Sequence, residues 1–232
     1  MNKIKMGIPT NIEEFVNLYT NKLSNEVRGI MGDELNKIPR DSTILDIGCG
    51  IGGALYSLYS NGYQNLYGFD VVEDLINVAK KIVPSSHFFI GNVENISLKS
   101  NYFDYCLCYD LLEHVEKPKS VIEEIGRILK PNGTLYIRVA NGYSLHDILF
   151  RWGGKVMRGR SSHIQKFKKR DVEKIFMDNG FKIEKFHEIS GFPLVDFPIM
   201  DKIPFSNVIK IIGHKIGKNM IIEWEFKVAK RY

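Results

Sequence analysis

Cysteine is scarce in this sequence and badly placed for cross-linking. Three are present, Cys49, Cys106 and Cys108. Cys106 and Cys108 stand two residues apart, a strand spacing that points both side chains to one face of one strand and leaves them poorly placed to pair. No Cys-x-x-Cys occurs, so neither a zinc site nor a thioredoxin-like dithiol is indicated, and each thiol is expected buried and reduced. Long apolar runs are missing as well. No stretch approaches the ~20 residues a membrane-spanning helix needs, and residues 1–7 hold no apolar signal core. A cytoplasmic location is the default expectation. Internal repeats and low-complexity tracts are absent. With 44% hydrophobic and 25% charged residues, the composition is that of a globular protein and excludes a disordered chain.

What is present is uneven in charge. The net charge is +5 over 232 residues. Residues 151–232 carry 18 Lys/Arg against 9 Asp/Glu, whereas residues 1–150 carry 14 against 18. Between Arg151 and Arg170 there are eight basic residues and no acid. Such a segment suits an acidic partner, or it is simply a solvated face. No nucleic-acid recognition module accompanies it, so nucleic acid is not expected as a partner.

Periodicity divides the chain. Residues 10–38 read as helical, with Asn11 as a cap and Pro39 as the stop. From 43 to 140 strands and helices alternate. The strands are Ile44–Ile47, 65–69 with Asp70 at the end, His87–Ile90, Phe103–Tyr109 and 134–140. The helices between them carry Leu55, Leu58 and Tyr59; Leu75, Val78, Ala79 and Ile82; and Val121, Ile122, Ile125 and Leu129 on their inward faces. Lys130-Pro131-Asn132-Gly133 reads as a turn. Beyond 140 an amphipathic stretch (144–157), a helix (169–179), a strand (181–189), a proline-bearing insertion (191–205) and a helix (206–216) precede a last strand. That strand, 220–232, alternates Ile222, Trp224, Phe226 and Val228 with Glu223, Glu225 and Lys227, which predicts a half-exposed strand.

Strict alternation argues for an α/β fold with a mostly parallel sheet flanked by helices. Right-handed crossovers put the C-terminal strand ends on one edge, where ligands bind. Gly48, Asp70, Asn92 and Tyr109–Asp110 all fall there. The first strand runs into Gly48-Cys49-Gly50-Ile51-Gly52-Gly53. Glycines at such a turn let a ligand approach the backbone and present N–H groups at a helix start. Asp70, 20 residues beyond, is placed to accept from ribose hydroxyls. Gly48-x-Gly50-x-x-Gly53 also satisfies the dinucleotide pattern, so the turn alone leaves a nicotinamide oxidoreductase open.

Asp46 inside the first strand and Asp110-Leu111-Leu112-Glu113-His114-Val115 after the fourth are not part of that pattern. Together with Ile44–Gly52, Gly68-Phe69-Asp70, Phe103-Asp104-Tyr105 and Leu129–Leu135, they resemble the motifs of the class I S-adenosylmethionine-dependent methyltransferases. The resemblance spans residues 40–140. It implies a seven-stranded Rossmann-like sheet whose last strand is antiparallel. It also implies S-adenosylmethionine as cofactor. Asp46, Gly48, Cys49, Gly50 and Gly52 would form the loop around its methionine part, Asp70 would take the ribose and Val71 would lie against adenine. Asn92, where the family usually has Asp, would address the adenine amino group through its carbonyl. Val93 would offer its backbone N–H, and Tyr109 would lie near the sulfonium.

The methyl group of a sulfonium is already electrophilic, so alignment of the nucleophile supplies much of the rate. A base is needed only where the acceptor must lose a proton. His114, with Asp110 beside it, is the candidate, because an imidazole exchanges protons near neutrality. Asp110, Glu113 and His114 have the spacing that gathers side chains on one helix face. Ubiquinone-pathway O-methyltransferases show a similar run, some with a divalent metal, but no resident metal is expected here. The basic segment, with His163, Lys166, Lys168, Lys169 and Arg170, reads as an acceptor lid.

The expected organisation is one domain: a helical cover (1–40), a cofactor core (41–140), a lid with the sixth strand (141–219) and the last strand (220–232). The expected activity is methylation of oxygen, or nitrogen, on a small sugar, lipid-linked or quinone-type acceptor. A phosphate group on that acceptor and peripheral membrane contact would both suit the lid. Besides the oxidoreductase, a non-catalytic cofactor-binding partner protein is the other reading.

Overall fold

The computed structural model describes residues 29–144, 163–190 and 221–231. The expected elements at 10–28, 145–157, 191–205 and 206–216 lie outside the described residues. Five helices and seven strands follow in chain order among those described: α1 (Gly29–Glu34), β1 (Ile44–Ile47), α2 (Gly53–Ser60), β2 (Leu66–Asp70), α3 (Glu73–Ile82), β3 (His87–Ile90), β4 (Phe103–Tyr109), α4 (Pro118–Ile128), β5 (Leu129–Ala140), α5 (Lys169–Asp178), β6 (Phe181–Ser190) and β7 (Ile221–Lys230). One-turn 3-10 helices follow α1 (Leu35–Lys37) and β4 (Leu112–His114).

The strands form one sheet in the order β3-β2-β1-β4-β5-β7-β6. β1 to β5 pair in parallel, and β7 runs antiparallel to both β5 and β6. The parallel half is wound outward from β1 in two directions. The chain therefore reverses direction between β1 and β4, and a crevice opens at their C-terminal ends.

The burial follows from the pattern. All four residues of β1 are buried. Leu45 and Ile47 join the apolar layer under α4 and α5, while Ile44 joins the layer under α2 and α3. Cys106 and Cys108 share the first layer and Leu107 lies in the second, as strand alternation requires. Each aliphatic side chain fully removed from water contributes about 1.5–3 kcal/mol. In α4 the inward residues are Val121, Ile122, Ile125 and Ile128, one stripe of a 3.6-residue period. The N–H groups of Glu116 and Lys117, just before α4, both donate to Glu94 Oε1 at 2.9 Å.

Four expectations change. Tyr59 is exposed, and Ala54 and Ser57 are buried beside Leu55 and Leu58 instead. In α3 Ile76 replaces Leu75 as a fully buried member. β5 begins at Leu129, not Thr134: Phe103 pairs with Leu129 and Tyr105 with Thr134, so residues 130–133 are extruded as a bulge. Asn132 turns that bulge at φ 62°, a conformation Asn tolerates better than most residues.

The fourth change matters most. On the polar face of β7, Glu223 and Lys227 are part-exposed as the alternation predicts, but Glu225 is not. Glu225 is completely buried, because α1 lies over this end of the sheet. Ile30 donates its N–H to Glu225 Oε2 at 3.0 Å. Glu34 is clamped by Lys185 of β6, by Lys227 of β7 at 2.9 Å and by the Tyr136 hydroxyl of β5 at 3.2 Å. Alternation marked these residues as polar; the helix turned polar into paired and covered.

Candidate active site

The loop between β1 and α2 is built on left-handed backbone. Gly48, Gly50 and Gly52 have φ of 77°, 53° and 84°, a region L-residues with a Cβ reach only with strain. The loop is fastened to β2. Gly48 and Cys49 donate their N–H groups to Phe69 O at 2.8 and 3.1 Å. Gly50 donates to Asp70 Oδ2 at 2.9 Å, and Val72 donates to Asp70 Oδ1 at 2.9 Å. Asp70 is buried and each oxygen holds one backbone donor, which leaves each a second lone pair for a ligand hydroxyl. Asp46 is buried in β1. Burial and the charges of Asp46 and Asp70 push the Cys49 thiol far up, so it stays protonated.

Exposed apolar side chains flank Asp70. Val71 is 66% exposed and Ile90 50%, an open seat for a flat ring. Asn92 lies beside them, exposed, with its carbonyl oxygen accepting the Glu94 N–H at 2.9 Å. The carbonyl expected to meet adenine is thus already half used by its own turn. Val93 turns into the core.

β4 delivers the reactive groups. Asp110 follows Tyr109 at φ 52°, half-exposed, with Oδ2 4.0 Å from the Arg138 guanidinium. Desolvation pushes its carboxyl up against the pull of Arg138, His114 and His163. Tyr109 turns sideways: its hydroxyl lies 3.8 Å from Met31 Sδ and its ring under Arg138 at 4.8 Å. Burial first, and Glu225 second, push its phenol well up.

Asp110, Glu113 and His114 do not share an α-helix face, because only the 3-10 turn Leu112–His114 forms there. Glu113 points inward and is 2% exposed; His114 is exposed. Ala140 donates its N–H to Glu113 Oε1 at 3.3 Å, and Oε2 is buried without a hydrogen bond. Desolvation raises the Glu113 carboxyl to about 7. The third member of the group is His163. Ile164 and Gln165 donate their N–H groups to the backbone oxygen of Glu113 at 2.8 and 3.1 Å, and this docking brings the His163 ring to 4.8 Å from that of His114. Ligand atoms of Glu113, His114 and His163 all lie within 4.8 Å of one another. Two nitrogens and a carboxylate oxygen could hold a divalent ion.

Further along the same edge, Arg138 of β5 stands among Asp110, Glu223 and Glu225. The sequence reading missed Arg138, Glu223 and Glu225. The available signal was that Arg138 pairs in register with Glu225 once β7 sits beside β5, an adjacency the sequence does not announce.

Residues 20–185 match a methyltransferase domain family. The chain belongs to the S-adenosylmethionine-dependent methyltransferases. An uncharacterized protein of Methanocaldococcus jannaschii is 28% identical over 213 residues, 90% of this chain and 86% of that one. A ubiquinone biosynthesis O-methyltransferase of Coxiella burnetii is 32% identical over 102 residues, 42% of this chain and 43% of that protein. The methyltransferase thus spans less than half the length of that relative. A methyltransferase of Methanosarcina mazei has the same fold, with a TM-score of 0.64 at 19% identity over 89% of this chain and 99% of that one. The sheet order and the antiparallel β7 agree with the seven-stranded fold that the motifs implied. No described helix is long and apolar enough to cross a membrane.

Proposed function

We propose that this methyltransferase methylates oxygen on a small hydroxyl-bearing acceptor. Residues 41–140 hold the donor, residues 1–40 cover it and residues 141–219 supply the acceptor side, in one domain. The glycine loop with Asp46, Gly48, Cys49, Gly50 and Gly52 takes the methionine part. Asp70 accepts the ribose hydroxyls, Val71 lies against the adenine, and Asn92 and Val93 border the ring. Tyr109 and Asp110 close the side nearest the sulfonium.

The observation that carries the oxygen reading is the buried Glu113 carboxyl, raised to about 7, beside His114 and His163. A hydroxyl must lose its proton as the methyl group arrives, and a cluster of proton-accepting side chains at the strand end suits that transfer. His114, exposed at the edge, takes the proton, the Glu113 carboxyl balances the charge it acquires, and His163 packs against its ring. Asp110 adds negative charge on the same side. The O-methyltransferase relative supports oxygen over nitrogen.

The orphaned Glu113 Oε2 also favours a second reading, in which Glu113, His114 and His163 hold a divalent metal. The ion would supply a positive charge that stabilises the acceptor as an alkoxide or phenoxide. The exposed Lys166, with Lys168 over the Tyr143 ring and Arg170 4.0 Å from Asp171, would meet a phosphate on the remote part of the acceptor. Lys169 is committed to Glu173 at 3.8 Å and to the Phe186 ring.

Transfer of labelled methyl from S-adenosylmethionine to a panel of phenols, sugars and lipid-linked hydroxyl compounds tests the reading. Label in an ether is expected. Label in nitrogen acceptors alone overturns it. Titration of the purified protein with manganese, followed by calorimetry, tests the metal: binding lost in His163→Ala supports it, and no binding removes it.

A further inference from the structure

A cleft of about 740 Å³ opens at the N-terminal end of β7, beside the C-terminal ends of β5 and β6, lined by Gly29, Arg138, Phe186–Ile189, Glu223 and Glu225. Its chemistry is lopsided. Arg138 faces three carboxylates from three directions: Asp110 at 4.0 Å, Glu223 at 3.8 Å and Glu225 at 3.9 Å. All three distances exceed hydrogen-bonding range. Arg138 Nε and Glu225 Oε1 are buried without a hydrogen bond. Glu225 is fully buried, so its unmatched oxygen lies behind the wall of a cleft large enough for a small molecule and adds negative charge there. Arg138 is shared three ways, and Glu188 and His187 also line the cleft, so carboxylates outnumber the basic side chains there.

We propose that this cleft seats the acceptor and selects a neutral or cationic group that donates hydrogen bonds, against a carboxylate or phosphate at the same end. The proposal rests on the small-molecule reading above and names the chemistry of its acceptor. Glu223, partly exposed, accepts the donated hydrogens, and Glu225, fully buried behind it, adds negative charge. Arg138, stacked over Tyr109 at 4.8 Å, positions the carboxylates and links the cleft to Asp110 beside the transfer site. The elevated proton affinity of Glu223, raised to about 7 by burial and then by Asp110, agrees with a site short of positive charge. An anion there would add to the crowding that already holds that proton. The basic residues at 166–170 serve a different part of the acceptor or none.

The test uses the full chain, isotope-labelled and saturated with S-adenosylhomocysteine. Dopamine, catechol and 3,4-dihydroxybenzoate present one ring with a cationic, a neutral and an anionic substituent. Backbone-amide shifts on titration give site and affinity together. Affinity is expected to fall in the order dopamine, catechol, dihydroxybenzoate, with shifts at 138, 186–189 and 223–225. The isosteric Glu223→Gln should weaken dopamine about tenfold, the scale of one charge-assisted hydrogen bond, and leave S-adenosylhomocysteine affinity unchanged. Tightest binding by the benzoate overturns the proposal. So do shifts confined to other residues, the absence of binding by all three, or an unchanged dopamine affinity in Glu223→Gln. Methyl transfer is read separately. Binding in the cleft without ether formation upholds the cleft and removes the O-methylation reading.

Discussion

The Asp70 carboxylate accepts the Gly50 N–H at 2.9 Å, so the glycine loop and the end of β2 move as one unit before any ligand arrives. The second carboxylate oxygen does the same for Val72. Asp70 thus shapes the cofactor site as well as meeting the ribose. Asp70→Ala should lose both roles, each hydrogen bond to the charge being worth about 1.5–3 kcal/mol. Affinity for S-adenosylhomocysteine, measured by calorimetry, is expected to fall at least about tenfold. Asp70→Asn keeps one acceptor oxygen and should fall less. Equal affinity in all three proteins would show that another carboxylate takes the ribose.

Glu113 gives a stability signature with a defined sign. Its carboxyl is raised from 4.5 to about 7. The folded protein therefore holds a proton that the unfolded chain has released. That preference stabilises the fold below about 4.5, weakens as pH rises, and becomes a full penalty above about 7. Glu113→Gln mimics the protonated form. Chemical denaturation should find the variant and the parent alike near pH 4.5, with the variant gaining up to about 3 kcal/mol by pH 8. Methyl transfer should drop in the same variant. A stability difference that does not change with pH would mean that Glu113 is ionised throughout.

The parallel half of this fold is written in local patterns. Ile44–Ile47 and Phe103–Tyr109 are bounded by turn residues and carry the apolar runs of covered strands, and His87–Ile90 carries a β-forming aromatic run although it stays largely exposed at the sheet edge, so their limits could be read directly. The donor loop was legible for the same reason: Gly48, Gly50 and Gly52 are needed where they stand by backbone geometry alone. The acceptor side was not. Glu225 reads as an outward residue of an alternating strand, and only the docking of α1 from 195 residues earlier makes it buried. Likewise His163 reads as part of a basic run. Its position beside His114 depends on the hydrogen bonds of Ile164 and Gln165 to Glu113, a long-range contact without a sequence signature. Donor chemistry here is local and acceptor chemistry is tertiary.

Gly29 is expected to be irreplaceable where Gly62 is not. Both have positive φ, 66° and 87°. A Cβ at Gly62 would meet nothing within 4 Å, whereas one at Gly29 would fall 1.9 Å from Glu225 Oε2. Gly62→Ala should cost only the left-handed strain, about 1 kcal/mol. Gly29→Ala adds loss of the Ile30–Glu225 hydrogen bond and should cost about 3 kcal/mol. Thermal melts of the two variants make the comparison. Equal losses would show that α1 can withdraw from β7 without consequence.

Glu34 provides the converse pH signature. Burial alone would raise its carboxyl, but the hydrogen bonds from Lys185 and Lys227 outweigh burial and hold it at about 2, against 4.5 in the unfolded chain. The stabilisation is complete above about 4.5 and is lost as pH falls towards 2. Lys185 is partly exposed, so solvent screening trims the value, and Glu34→Gln should cost about 2 kcal/mol at pH 7. The difference between the parent and Glu34→Gln should shrink through pH 4 and vanish near pH 2. Lys227→Met should mimic the loss at neutral pH, because it leaves the Glu34 carboxylate under α1 with one ammonium partner. If Glu34→Gln is as stable as the parent at pH 7, the clamp adds nothing and α1 is held on the sheet by Ile30, Met31 and the Glu225 bond alone.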